Sequence, residues 1–268
     1  MSNTPSSENP APTSGQTISL NDIADRYLAV YQRLFDITMM NLASYRKVSE
    51  EDYDMVTNQF PVQPQQNQRR DFEAAKDAAQ LWLARNLISE ALSTVVPLME
   101  DCRTVLSLCD YKAAGKNDPA RIQEITGPER QAFMSSPIGD KFKFLKEKFE
   151  TSSEIEEHIL SLMDITKGMV MHDGKAAPEI CTDGKLTLKI RTMTLTQAPV
   201  TSDSGQPVMG LTRQMNDHSR VYNEGEVIDL NKAEIVGSIV TVSAFLATLL
   251  ASVQTYAKKV GAADDASA

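Results

Sequence analysis

The apolar positions from Ser19 to Lys47 fall at Leu20, Ile23, Tyr27, Val30, Tyr31, Leu34 and Ile37. Steps of three and four residues predict an amphipathic helix. Ser19 followed by Asp22 suits its start, as an N-cap and an acidic first-turn residue. Val48 to Gln68 holds Pro61, Pro64 and a Gln cluster, and reads as a mobile connection. The longest helical pattern is Arg70 to Ala114, with a stripe through Phe72, Ala75, Ala79, Leu83, Leu87, Ala91, Val95, Met99 and Leu106. Pro97 should kink or split it, and Gly115 with Asn117 should end it. Pro119 to Ser136 reads as one or two short helices punctuated by Gly127-Pro128. Pro137 to Phe149 reads as another, with Phe142, Leu145 and Phe149 on one side. Ser153 and Glu156 form a capping box ahead of a helix that His172-Asp173-Gly174 stops.

The period changes after Lys175. Leu186, Leu188 and Ile190 alternate with Thr187, Lys189 and Arg191, which is the period of a strand. Pro199 to Gly210 is turn-rich, and Val208 to Thr212 supplies a return strand. Asn231 to Lys259 is apolar on nearly every side, as a central helix would be. The expected fold is therefore mainly α: an up-and-down helical bundle with a small β-hairpin insertion at about 180–212. A single helical domain should span 18–260, between a disordered tail at 1–17 and a frayed tail at 261–268.

Composition narrows the classes. A chain of 268 residues can bury a sizeable core without metal or disulfide. The net charge of -9 argues against a general nucleic-acid coat or an anionic-membrane binder. Cys102, Cys109 and Cys181 include no C-x-x-C pair and fit a reducing cytosol. Cys102 and Cys109 fall seven apart on one helix face, as two small core residues would. The three histidines are scattered, so no zinc site is expected, and no cofactor motif is present. The first 16 residues have neither the basic nor the apolar region of a signal peptide. Ile235 to Val253 is interrupted by Gly237, Ser238, Thr241, Ser243, Thr248 and Ser252, which suits a core helix better than a membrane span.

The segment that can carry chemistry is Asp164 to Gly174. Lys167 and His172 lie five apart, about 1.4 turns, and so leave one helix end in roughly the same direction. A cation that holds a phosphate and an imidazole that moves a proton form a minimal kit for phosphodiester chemistry. From spacing alone, a Lys and a His at a helix C-terminus are better explained by their opposition to the helix dipole.

The segment resembles the HEPN signature: an Arg, a polar residue that is often Asn, three further residues, then His. Asp173-Gly174 resembles the Asn/Asp-Gly step that follows in some members. The order of helices from Arg70 to Lys259 is also similar, including Tyr222 to Leu230 leading into the final helix. The resemblance implies a helical fold, a two-fold homodimer and, in members that cleave RNA, a composite metal-independent site. Here Lys167 stands for the Arg, without its bidentate fork, and Gly168 for the polar residue. That departure suits a non-catalytic interaction or regulatory module with a protein partner, of the kind common in prokaryotic conflict and defence systems. The alternatives are a metal-independent endoribonuclease acting on RNA through His172 and Lys167, and a structural or assembly subunit.

Arg213 to His218 is a second match, with the literal Arg-x-x-x-x-His spacing but in an expected loop. Arg69-Arg70 reads as a helix start or a local contact point. Trp82, near Arg85 and Asn86, reads as a core residue. Glu154, Glu156 and Glu157 suit a helix N-terminus.

Overall fold

A computed structural model describes residues 19–45, 47–59, 71–116, 122–201 and 207–261. The expected tail at 1–17, Arg69-Arg70 and residues 262–268 of the expected C-terminal tail lie outside them. Helix α1 (Leu20–Tyr45) buries Leu20, Ile23, Tyr27, Tyr31 and Leu34 of the expected stripe, while Val30 is half-buried, Ile37 is exposed and Thr38 is buried in its place. Helix α2 (Glu50–Gln59) corrects the expectation of a connection beginning at Val48. Ser49 and Asp52 cap it reciprocally: Asp52 N–H donates to Ser49 Oγ at 3.1 Å, and Ser49 N–H donates to the Asp52 carboxylate at 3.0 Å. Both prolines fall after its last turn and do not interrupt it.

Pro97 splits the long pattern rather than kinking it. Helix α3 (Phe72–Ser93) ends at Thr94, and α4 (Val95–Ala113) begins one residue later. Pro97 thus occupies the first turn of α4, where a missing N–H costs nothing. Thr94 Oγ1 hydrogen-bonds Ala91 O and Tyr31 Oη, both at 2.7 Å, and ties the break to α1. Helices α5 (Ile122–Ser135), α6 (Ile138–Phe149) and α7 (Glu156–Met171) follow. α5 runs through Pro128 as one helix. The expected capping box before α7 forms only in half: Ser153 N–H donates to Glu156 Oε1 at 2.9 Å, but Ser153 Oγ accepts from Ile155 N–H at 3.1 Å, and Ile155 takes the N-cap position with no side-chain cap.

The β element is larger than expected. β1 (Lys185–Thr201) and β2 (Pro207–Asn223) pair antiparallel from Lys185↔Asn223 to Thr201↔Pro207. The return strand thus runs eleven residues past the expected end at 212. Thr212 to Ser219 reads as a loop in sequence because it carries no sustained apolar alternation. Its order comes from the ladder to β1.

The ribbon has two parts. At its base the even-numbered residues Leu186, Leu188, Ile190 and Tyr222 are buried. Farther out the apolar residues change sides: Met193, Leu195 and Met215 are odd-numbered and exposed, while Thr192, Thr194, Thr196 and Thr212 occupy the even face. The edge of β1 is sealed at the base. Ser161 Oγ donates to Thr187 O and accepts from Lys189 N–H, both at 2.7 Å. Thr241 Oγ1 accepts from Arg191 N–H and donates to Gly237 O, again at 2.7 Å. Gly237 allows the close approach: a Cβ there would stand 2.9 Å from Ile190 Cδ1 and 3.1 Å from Arg191 O.

Helix α8 (Lys232–Lys259) packs against α1, α3, α4, α7 and β1. It is long and apolar enough to cross a bilayer, yet over half of its most apolar stretch is buried inside the fold. Asn231 caps it, accepting from Glu234 N–H at 3.0 Å while Glu234 accepts from Asn231 N–H at 2.8 Å.

Candidate functional site

Helix α7 ends where the sequence motif lies. His172 N–H and Gly174 N–H both donate to Gly168 O, at 3.3 and 3.1 Å. Asp173 and Gly174 both take left-handed backbone, with φ of 52° and 75°. The reversed chain is then held by Ala176 N–H to Glu226 O at 2.9 Å and by Ile228 N–H to Gly174 O at 2.8 Å. The Asp-Gly step therefore shapes a turn that fastens α7 to the segment leading into α8.

Lys167 makes an ion pair with Asp164 at 3.2 Å on its own helix and is half exposed. Five helical residues turn through about 500°, which leaves Lys167 and His172 about 140° apart around the axis. His172 has also left helical backbone, with φ -125° and ψ 36°. The two side chains share a helix end without converging on one another. Neither residue lines the three clefts found among the described residues.

Gly168 has a packing role. A Cβ there would stand 2.3 Å from Ile228 Cδ1, 3.0 Å from Lys175 O and 3.1 Å from Ile180 Cδ1. The space beside α7 is filled by its own return segment. A polar side chain at this position would displace that segment.

Arg213 and His218 lie on β2, not in a loop. Five residues along a strand is an odd step, so the two point to opposite faces. His218 joins a different group. Its Nε2 is 3.2 Å from Glu234 Oε1, and Glu234 Oε2 is 3.3 Å from Arg220 Nη1. Glu234 is only 2% exposed. Arg220 Nη1 also donates to Asp229 O at 2.8 Å, and its guanidinium lies 4.7 Å from the Tyr222 ring centre. Burial, then the Glu234 charge, pushes the Tyr222 phenol up. Sequence reasoning missed Glu234 and Arg220, although Asn231 and Glu234 carry a capping-box spacing that was readable.

A second group joins α7 to the ribbon. Arg191 pairs with Glu154 at 3.2 Å and with Asp217 at 2.9 Å, and His158 Nε2 is 3.4 Å from Asp217 Oδ1. Of the three glutamates around the start of α7, Glu154 thus binds Arg191, Glu156 accepts from Ser153 N–H and Glu157 pairs with Lys189 at 2.8 Å.

Trp82 corrects the expectation of a core residue, for it is 58% exposed. It sits next to Leu81, whose Cδ2 would be 3.4 Å from a Cβ on Gly174. Val170 and Met171 at the end of α7 are exposed as well, Met171 to 73%. Val227, bridged to Lys175, is also exposed. Four exposed apolar side chains thus come from the segments that meet at the His172 turn. Cys102 and Cys109 are buried on one face of α4, and burial raises both thiols. Among the described residues no group of three His, Cys, Asp or Glu is arranged to hold a metal ion.

No family model, curated protein or solved structure matches this chain.

Proposed function

We propose that the protein is a non-catalytic helical interaction module, HEPN-like in segment order, that docks a second copy or a protein partner at the α7 end. The observation that carries this reading is the exposure of Trp82, Val170, Met171 and Val227 around the His172 turn. Exposed apolar side chains gathered from several segments mark interaction surfaces, and Trp and Met are enriched in them. The net charge of -9 favours a protein partner over bulk nucleic acid. By resemblance alone, a regulatory role in a prokaryotic conflict or defence system in the cytosol fits such a module.

Light scattering on the wild type and on Trp82→Glu with Met171→Glu tests it. Both residues are surface residues, so the variant should fold, and its self-association or partner binding should weaken at least tenfold. Unchanged association would remove the α7 end from the interface. An RNA-cleavage assay in EDTA runs beside it. Cleavage lost in His172→Ala would overturn the non-catalytic reading and establish a metal-independent endoribonuclease.

A further inference from the structure

The outer edge of β2 has no neighbouring strand among the described residues. Thr187 O and Lys189 N–H of β1 turn away from β2, toward Ser161. In an antiparallel ladder, directly opposed residues share one bonding type. The odd-numbered residues of β2 therefore also turn their amides outward, from Arg213 through Met215, Asp217 and Ser219 to Val221. Among the described residues, nothing hydrogen-bonds these outward backbone groups. The contrast with β1 is direct: α7 and α8 each lend β1 a hydroxyl at its base, and β2 receives none. A long unpaired edge is a template for another strand.

We propose that two copies of the chain join along β2, antiparallel, about a two-fold axis at Met215. Met215 is the midpoint of Pro207–Asn223, so this register overlaps the whole strand. It places Arg213 opposite the partner's Asp217, and Asp217 opposite the partner's Arg213. Opposite charges meet twice, at cross-strand spacing. The register continues into both ribbons, because Met193 stands opposite Met215, and Leu195 opposite Arg213, in each. One face of the resulting four-stranded sheet carries a row of four methionines, with a leucine flanking it at either end. The other face continues the polar row, with Asn216 opposite the partner's Gln214. The inner half of the ribbon faces the chain's own body, and the outer half becomes part of a sheet that exists only when two copies meet. This surface differs from the α7 end, and neither depends on the other.

Cross-linking of the full chain with a short thiol–thiol reagent tests the register, and sedimentation velocity tests the strength. In a hydrogen-bonded antiparallel pair, opposed Cα atoms are about 5.5 Å apart. Met215→Cys should therefore yield a linked dimer above the wild-type background. Arg213→Cys should not, because its two copies are offset by four residues, about 13 Å. Met215→Pro removes both central N–H donors on a solvent-facing edge, where proline is tolerated, and should weaken association at least tenfold. Arg213→Asp, which sets two like charges face to face, should do the same with the ribbon intact. A chain monomeric at every concentration would overturn the proposal. So would equal linking by Met215→Cys and Arg213→Cys, or association unchanged by both Met215→Pro and Arg213→Asp. Trp82→Glu with Met171→Glu should leave the Met215→Cys link in place, which separates this interface from that at α7.

Discussion

Arg103 holds Glu100 through two parallel hydrogen bonds, Nε to Oε2 at 2.7 Å and Nη2 to Oε1 at 2.8 Å, one turn apart on α4. The guanidinium is 1% exposed, lies 5.8 Å from the Phe133 ring centre, and also donates to Thr126 O at 3.2 Å. Arg130 approaches the same carboxylate at 3.3 Å from α5. The pair is the polar joint between α4 and α5. Removing one partner leaves a buried charge uncompensated. Glu100→Ala should cost about 3–5 kcal/mol. Replacing both residues, as Glu100→Leu with Arg103→Met, should cost much less than the two single changes summed. Urea unfolding of the two singles and the double measures the difference.

Gly168 sets helix propensity against packing. Alanine in mid-helix gains about 1 kcal/mol over glycine. Here the added Cβ meets Ile228 Cδ1 and the carbonyl of Lys175, and overpacking costs about 1–3 kcal/mol. Gly168→Ala should be net destabilising, and Gly168→Asn more so. Ile228→Val should relieve part of the loss in Gly168→Ala. Denaturant midpoints for the three variants decide the sign.

The hydroxyl of Ser161 satisfies a donor and an acceptor that the edge of β1 would otherwise lose. Ser161→Ala should cost about 1–3 kcal/mol. The measurement that locates the loss is amide hydrogen exchange, where Lys189 N–H should speed up with little change in the outer ribbon. Thr241→Val should act in the same way on Arg191 N–H, whose acceptor it removes.

Buried and half-buried tyrosines contribute to stability at alkaline pH. Burial pushes Tyr31 up to about 12, against a small lowering by its bond to Thr94. Burial, then a hydrogen bond to Asp110, pushes Tyr256 up to about 12. Burial and Asp101 raise Tyr27 further. A phenol whose folded pKa is raised binds its proton more tightly in the native state. Its contribution is complete below pH 10 and is lost between pH 10 and 12. Stability should therefore fall across that window. An ultraviolet titration should show these tyrosinates forming at higher pH than those of exposed tyrosines.

The helices were legible where one face is buried and the other is wet. Leu20 through Leu34, and Phe142 with Leu145 and Phe149, announce their burial by spacing alone. α2 was hidden because it buries no residue and so has no stripe to read, although its Ser49–Asp52 cap was there in the sequence. The outer half of β2 was hidden for the related reason that neither side enters the core. Trp82 misled because aromatic size predicts burial only on average. Lys167 and His172 were located correctly at a helix end, but proximity in sequence did not bring their side chains together. The group around Glu234 assembles residues from β2 and α8 that no linear motif connects.

The change of apolar side between Ile190 and Met193 imposes a parity rule on the length of the ribbon. Adding one residue to each strand between base and arm, after Arg191 and before Asp217, keeps every rung paired. It also turns Met193, Leu195 and Met215 to the face now held by threonines, since each strand residue reverses sides. Adding two residues to each strand restores the faces and lengthens the arm by about 7 Å. If two copies pair along β2 as proposed, insertions and deletions in this hairpin should therefore be accepted during divergence in steps of two per strand, and rejected in steps of one, because a single step also turns the outward amides of the edge inward.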